Sequence, residues 1–563
     1  MLPPASRSAE SVELKHLAAD ILGWPTWAKR ALAGRPRPFG EGGALVPAKI
    51  SDISNRPDDT SAFFLERGEL VERLRDRYRS SVEPPTLHER QEENLERLLH
   101  PESRVVVCGQ QPGFLGGPLF NVYKAIQTAR LARALEERWG TPVVPIFWVH
   151  SDDHDLAEVN HAHLLNRNLD LARVGLPAMG SGKRPIFDHS LDAGEHRLDA
   201  LRAHLDQVLT LEGDRETWLD SFFPVEGESL GEAFVRGHSR LLGHLGLLYL
   251  EPCAIREPIS RATAHVLSKF DSDRLRAALD RARAEQAPAE IAPEEVPWVF
   301  RLEGSSSSSV TRRAVRFEDG RFQLDGEPGS RSATELSAWM VQEPEGWSPG
   351  YLTRPLAQDL CLPNVAYVSG WGELKYLLPL TYLRADLELP SPALVPRVSV
   401  TLSSPAERAS LDRLEVTAET FLARRGQIEV EEGDTHPAVE LIKQEASRSA
   451  SFTTHLKPTL ESLDRSLSNQ LRRTARDVAA LYEKLAKKAE RVDANRRGKS
   501  RRHLRRLENS WFGNGHPQER VLTALQYGVS FGDGWVQRLT EDLDPLSTEH
   551  LLVELSTAAK QAR

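Results

Sequence analysis

The strongest constraint on the fold is residues 104–149, where two short apolar runs flank a glycine-rich turn and an amphipathic segment. The first run, Arg104-Val105-Val106-Val107-Cys108, is β-branched and stops at Gly109, as a buried strand does. From Pro118 to Trp139, residues Leu119, Val122, Ile126, Leu131 and Leu135 recur close to a 3.6-residue period, and Gly140 supplies a helix stop. The second run, Pro142 to Val149, is apolar throughout, as expected for a parallel strand covered on both faces. Strand, glycine turn, helix and strand make a βαβ unit, and the chain is therefore expected to be α/β with a Rossmann-like parallel core.

A chain of 563 residues is too long for one hydrophobic core, so at least two packed units are expected. Residues 1–100, with Leu70, Val71 and Leu74 and then Leu95, Leu98 and Leu99 at helical spacing, read as a helical N-terminal layer. Residues 101–400 read as the core with its insertions, among them a strand at Leu247–Leu250, another at Pro363–Val368 and a serine run, Ser305–Ser309, taken as a surface loop. Residues 401–530 turn helical, and Leu456, Leu460, Leu463, Leu467, Leu471, Val478, Leu481 and Leu485 form a heptad-like stripe. The stripe suits a coiled coil, either a homodimer contact or an intramolecular hairpin. Residues 531–563 are expected to form a helical segment that packs back on the core.

Net charge is −9, which argues against a protein built around nucleic acid or an anionic membrane. The basic stretch from Lys484 to Arg506, including Arg496, Arg497 and Lys499, reads as a solvated coiled-coil face, with a local RNA contact as the alternative. Only Cys108, Cys253 and Cys361 occur, without a CxxC pair, which points to the reducing cytosol and away from a disulfide framework. The N-terminus lacks the pattern of a secretory signal, and no apolar run approaches the roughly 18 residues of a membrane span. The expected location is the cytoplasm.

Three constellations could carry chemistry. In the first, Gly109, Gln110, Gln111, Gly113, Gly116 and Gly117 bridge strand and helix, where free N–H groups can hold a phosphate or carboxylate. A purely structural turn would use the same glycines, and the run fits neither the Walker loop nor GxGxxG. Lys124, about two turns into the helix, could reach back to a bound anion. The second is Asp152-Asp153-His154-Asp155, just beyond the apolar strand, where ligands of open parallel sheets bind. Carboxylates beside an imidazole can orient an amine, hold Mg²⁺ or act as a base. His161 and His163 follow, but their spacing is no recognised metal pattern, and no structural metal is expected. The third runs from Arg354 through Gln358 and Asp359 to Gly370, Gly372 and Glu373, again at a strand end. Arg354 offers a fork for a carboxylate, Asp359 could pair with it, and Glu373 could take an amine. Arg397 is a weaker candidate for anion binding.

Taken together, these runs resemble the family of the bacillithiol biosynthesis cysteine-adding enzyme, BshC. That family carries a TGQQxGxxxGPLYT-type loop, an EDHD-type cluster, an RPxxQDxxLPxxAYVGGPGE-type segment and a PxxQER run. They appear here as Cys108 through Phe120, Asp152 to Asp155, Arg354 through Glu373, and Pro517-Gln518-Glu519-Arg520. The resemblance implies a core related to class I aminoacyl-tRNA synthetases, with connecting insertions and a coiled-coil domain through which two copies pair. It further implies a ligase adding cysteine to glucosaminyl-malate to give bacillithiol, possible use of ATP with Mg²⁺, and substrate or nucleotide contacts from the residues above. Asp153, His154 and Asp155 would be the catalytic group. Neither HIGH nor KMSKS is present. Cys108, Asp152, Phe120-Asn121, Ser369 and Trp371 depart from the family pattern and leave room for another amino sugar as substrate. A catalytically altered dimeric scaffold or RNA-binding protein is the reading from a different class.

Overall fold

A computed structural model describes residues 13–23, 27–29, 37–38, 45–55, 63–166, 168–177, 183–192, 194, 197–209, 215–284, 296–304, 309–429, 437–464, 467–497 and 499–556. The serine run lies outside them up to residue 308, and the side chains of 491–500 are likewise outside. The chain divides into two units, one formed by Met1–Ser404 with Gly513–Arg563 and the other by Pro405–Phe512.

The first unit is built around a parallel sheet. Its elements in chain order are β1 (Arg104–Gln110), α1 (Phe120–Trp139), β2 (Val143–Val149), β3 (Leu248–Leu250), α2 (Thr353–Cys361), β4 (Asn364–Ser369), α3 (Trp371–Leu387) and β5 (Ala393–Pro396). Spatial order is β5-β4-β1-β2-β3, and every neighbouring pair is parallel. All seven residues of β2 are buried, which explains why its sequence shows no alternation. Gly140 ends α1 in the left-handed region at φ 70°.

The winding of this sheet fixes where a ligand can sit. From β1 the chain proceeds outward through β2 to β3, then returns to the other side of β1 for β4 and β5. The order therefore reverses between β1 and β4, and the crevice outside their carboxyl ends is the position where open α/β sheets bind ligands.

Around the core, Thr311–Glu318 pairs with Arg321–Leu324 and with Val299–Glu303, which pairs in turn with Trp347–Pro349, all antiparallel. His161–Leu165 and Leu171–Gly175 form a hairpin. Two expectations need correction. The first hundred residues are not only a helical layer: helices Arg67–Ser80 and Glu89–Leu98 are present, but Glu13–Leu17 is a strand that pairs antiparallel with His550–Glu554. The C-terminal segment likewise holds a helix, Gly534–Asp542, and then that strand, which is also parallel to Ser399–Ser403. Two segments far apart in the sequence thus serve as each other's ladder partner.

Every regular element of the second unit among its described residues is a helix. Pro437–Leu463 and Leu467–Arg497 pack as an antiparallel hairpin, with Lys443 Nζ 3.0 Å from Glu490 near one end and Ser468 Oγ donating to Glu461 at 2.6 Å near the turn. Leu456, Leu460, Leu471 and Val478 are half-buried, while Leu463, Leu481 and Leu485 are exposed. The stripe thus forms an intramolecular seam and leaves part of itself in solvent. The helical segment ends at Phe512 in this division; Gly513 onward belongs to the first unit, earlier than the expected boundary at 530. Among the described residues no helix is long and apolar enough to cross a membrane.

Candidate active site

The glycine turn leaves β1 through a 3-10 turn, Phe114–Gly116, closed by Gly117; Leu115, Gly116 and Gly117 have φ of 54°, 83° and 69°. Gly113 is required by proximity: a Cβ there would lie 2.6 Å from the Cα of Gly117. His238 donates from Nε2 to the Gly116 carbonyl at 3.1 Å, and its burial lowers its pKa to about 4, so a neutral ring fixes the turn.

Lys124 reaches back from α1, as its spacing predicts, but it does so inside the protein. It is 1% exposed and donates to the Gly109 carbonyl at 2.7 Å and to Gln110 Oε1 at 3.2 Å while pairing with Glu373. Glu373 also accepts from the Gly370 N–H at 2.8 Å and the Tyr367 hydroxyl at 3.2 Å, so it caps α3 and anchors β4 to β1. Gly372 is exposed at the start of α3 with open space around its Cα.

His150, the residue immediately beyond β2, is the member of this rim that sequence patterns overlook. A Cβ on Gly109 would come within 2.6 Å of its Nε2 and 3.0 Å of the Tyr367 hydroxyl, so the glycine admits both side chains over the strand end. Burial, and then the positive charges of Arg354 and Lys124, hold its pKa well below the ordinary histidine value. The ring is therefore an uncharged base between two cations. Its position between an apolar run and an acidic cluster was the available signal.

Arg354 faces the same crevice from α2. It donates to the Tyr376 hydroxyl at 2.8 Å and to Gln358 Oε1 at 3.3 Å, and among the described residues it forms no ion pair. Burial opposes its charge, but Tyr376, Tyr367 and Glu373 favour it and raise its pKa. A half-buried guanidinium with only neutral hydrogen-bond partners is well suited to receive a carboxylate. Tyr351, exposed, lies against Tyr376 with ring centroids 4.3 Å apart and ring planes tilted by 50°.

The acidic cluster separates by environment. Asp152 is buried: burial would raise its pKa, but Arg256 at 2.6 Å, Arg312 and the Ser348 hydroxyl at 2.8 Å lower it. Asp153 accepts from Gln111 Nε2 at 2.6 Å and from the His154 N–H at 2.7 Å, which links the glycine turn to the end of β2. His154 Nδ1 lies 3.3 Å from Arg312 Nη1, and burial and then Arg312 lower its pKa. Arg312 itself is brought down to about 10 by burial, against the pull of Asp152 and Asp153. Asp155 is exposed, and among the described residues no side-chain partner engages its carboxylate.

Three expected ligand contacts are corrected. Asp152 is held by Arg256 and Ser348. Asp359 pairs with Arg384 and with Asn364 Nδ2 at 2.9 Å, not with Arg354. Arg397 pairs with Glu519 at 2.5 Å, both side chains 5% exposed, and donates to the Val398 carbonyl. Each charge is neutralised inside the fold, where an unpaired ion would be costly, and is unavailable to a ligand. Gln358 is buried and acts through Arg354. Among the departures from the family pattern, Cys108 is buried and its thiol pKa is pushed up to about 12 by that burial, which makes it inert as a nucleophile.

A parallel sheet whose reversal point gathers a glycine turn, an uncharged imidazole and an arginine without an ion pair among the described residues defines a Rossmann-like protein, here carrying a helical coiled-coil unit. Family models described as bacillithiol biosynthesis BshC, N-terminal Rossmann-like domain and C-terminal coiled-coil domain match residues 47–398 and 400–555. Relatives named "Putative cysteine ligase BshC" include one from Thermus thermophilus, 31% identical, with 79% of this chain and 87% of the relative covered. That of Salinibacter ruber is 28% identical over 83% of this chain and 86% of the relative, and that of a Geobacillus species is 27% identical over 86% and 90%. The chain belongs to the BshC family of bacillithiol biosynthesis.

Proposed function

We propose that this protein is a ligase that joins the carboxyl group of cysteine to the amine of glucosaminyl-malate, the final step towards bacillithiol. The observation that carries the reading is the pairing of Arg354, a guanidinium without an ion-pair partner among the described residues, with His150, an uncharged base, at the reversal point of the sheet. The names of the relatives supply the amino acid.

An ammonium cannot attack a carboxyl carbon, so the acceptor amine must lose a proton before or as the C–N bond forms. His150 is unprotonated at neutral pH and is suited to take that proton. Arg354 would hold a substrate carboxylate, while Asp153, His154 and Asp155 orient the amine from the other wall. Expulsion of oxide from a free carboxylate is unfavourable; ATP with Mg²⁺, when bound, would supply a better leaving group. The N–H groups of Gly117, Leu119 and Asn121 already donate to the carbonyls of Phe114, Leu522 and Pro118, so a phosphate would be met from the crevice and not by the turn. Asp155, exposed and unengaged by the described side chains, is the carboxylate best placed to meet the metal. We further propose that the exposed Leu463, Leu481 and Leu485 pack against a second copy in a homodimer. The absence of a long apolar helix among the described residues and the family's biosynthetic role support a cytoplasmic enzyme.

Incubating the full chain with cysteine, glucosaminyl-malate and Mg-ATP should yield bacillithiol by mass spectrometry, and omission of ATP should abolish it. Folded protein that gives no thiol product with any nucleoside triphosphate, yet binds RNA tightly, would replace this reading with the scaffold.

A further inference from the structure

Against the glycine turn lies a second compartment, a cavity of about 300 Å³. Gln110, Gln111, Gly113 and Gly117 form one wall, the hairpin strand His161–Leu165 a second, and the returning segment 514–523 a third. Neither His150 nor Arg354 lines it. Its size is at the lower end of the range for small-molecule sites.

The chemistry of its lining is specific. His161 and His163 are two apart on a strand and therefore point to one side, with ring centroids 5.2 Å apart. Burial holds both below the ordinary histidine pKa, so they enter as neutral donors and acceptors. His516 lines the opposite wall. Arg520 is the permanent cation, and among the described residues its guanidinium has neither a hydrogen bond nor an ion pair. Its neighbour Glu519 is already committed to Arg397. Thr523 lines the cavity and is 1% exposed, and its hydroxyl, buried just behind that wall, has no hydrogen-bond partner among the described residues. A native fold seldom leaves such a group unsatisfied unless a ligand or water completes it.

One guanidinium, three imidazoles, side-chain amides and the single carboxylate of Glu158 are too little positive charge for a triphosphate with its metal. They match a ligand that has one or two carboxylates beside several hydroxyls. We infer that this cavity is the receptor for the dicarboxylate end of a hydroxylated glycoside acceptor, with Arg520 and Thr523 binding its oxyanion and His161, His163 and His516 its hydroxyls. The inference rests on the ligase reading and assigns its two substrates to separate compartments. Gln110 belongs to both, because it lines the cavity and accepts from Lys124 in the crevice. An acceptor anchored in the cavity would pass its amine over the glycine turn toward His150.

Calorimetric titration of the full chain with glucosaminyl-malate, malate and ATP separately, together with steady-state kinetics, tests this assignment. Arg520→Gln and Thr523→Val should weaken glucosaminyl-malate and malate by roughly tenfold to a hundredfold, as for loss of a charged hydrogen bond. KM for cysteine and for ATP should stay within about twofold of wild type on the same reasoning, since neither variant touches their compartment. Arg520 is exposed and Thr523→Val removes an unsatisfied hydroxyl, so both variants should retain the thermal midpoint of the wild type. A rise in KM for ATP instead would overturn the assignment, as would unchanged affinity for every ligand. Malate binding that depends on Arg520 in a protein that never forms the amide would leave the receptor standing and defeat the ligase reading alone.

Discussion

Lys124 and Glu373 form an ion pair across the point where the sheet reverses, joining the helix after β1 to the helix after β4. Lys124 is almost wholly buried, and Glu373 is 18% exposed at its side chain. Lys124→Met would leave the carboxylate half-compensated by Tyr367 and Gly370, at a cost of about 3 kcal/mol or more in unfolding free energy. The double variant with Glu373→Gln should recover much of that loss, because the two residues act as a pair. Urea titration of the four proteins decides the matter; additive costs would show that the two side chains act independently.

The sheet and its rim were legible because they depend on local pattern. An uninterrupted apolar run, a glycine turn and a 3.6-residue period can each be read from a short stretch of chain, and strand ends then place Gly109, Asp153 and Glu373 at one edge. What stayed hidden depends on contacts between distant segments. Arg397 and Asp359 look like ligand-binding charges until Glu519 and Arg384 are seen beside them. Glu13–Leu17 carries little alternation, and only its pairing with the C-terminal strand makes it a strand. His150 escaped for another reason: a lone histidine gains meaning only from Arg354 and Lys124, which the fold alone brings near.

Asp152 and Asp155 should respond in opposite ways to the same change. Asp155→Asn alters an exposed carboxylate without side-chain partners among the described residues, so the fold should persist while ligase activity is lost. Asp152→Asn leaves Arg256 buried with no full countercharge and Arg312 with Asp153 alone, and should lower stability by about 3 kcal/mol. Thermal melts and turnover measured on both variants separate the roles. An active Asp155→Asn enzyme would remove that residue from the mechanism.

Acid should destabilise the first unit through two buried histidines. His238 and His550 are buried and their pKa values fall to about 4, chiefly through burial. The unfolded chain takes up these protons near pH 6.5 and the folded chain does not, so stability rises with pH across that interval. The contribution is complete above about pH 6.5 and disappears as pH falls toward 4, at up to roughly 3 kcal/mol for each ring. Urea midpoints should therefore drop between pH 7 and pH 5, and His238→Gln should flatten part of the slope. A midpoint constant over this range would mean that neither ring is held neutral.

Substitution of His150 and Arg354 should divide the kinetic constants between them. If His150 accepts the amine proton, His150→Gln removes the base without adding charge, and kcat should fall by about a hundredfold or more with little change in KM. Arg354→Gln keeps hydrogen-bond donors but loses the fork and the charge, so KM for the substrate carboxylate it holds should rise. The pH profile adds an independent check. A base must be unprotonated to act, so activity declines as pH falls through its pKa. Burial, Arg354 and Lys124 place that pKa well below the ordinary histidine value, so the wild-type acid limb should lie below about pH 6.5. Arg354→Gln removes one of the two neighbouring cations and should move that limb upward. An acid limb that stays in place in this variant would mean that a group other than His150 takes the proton.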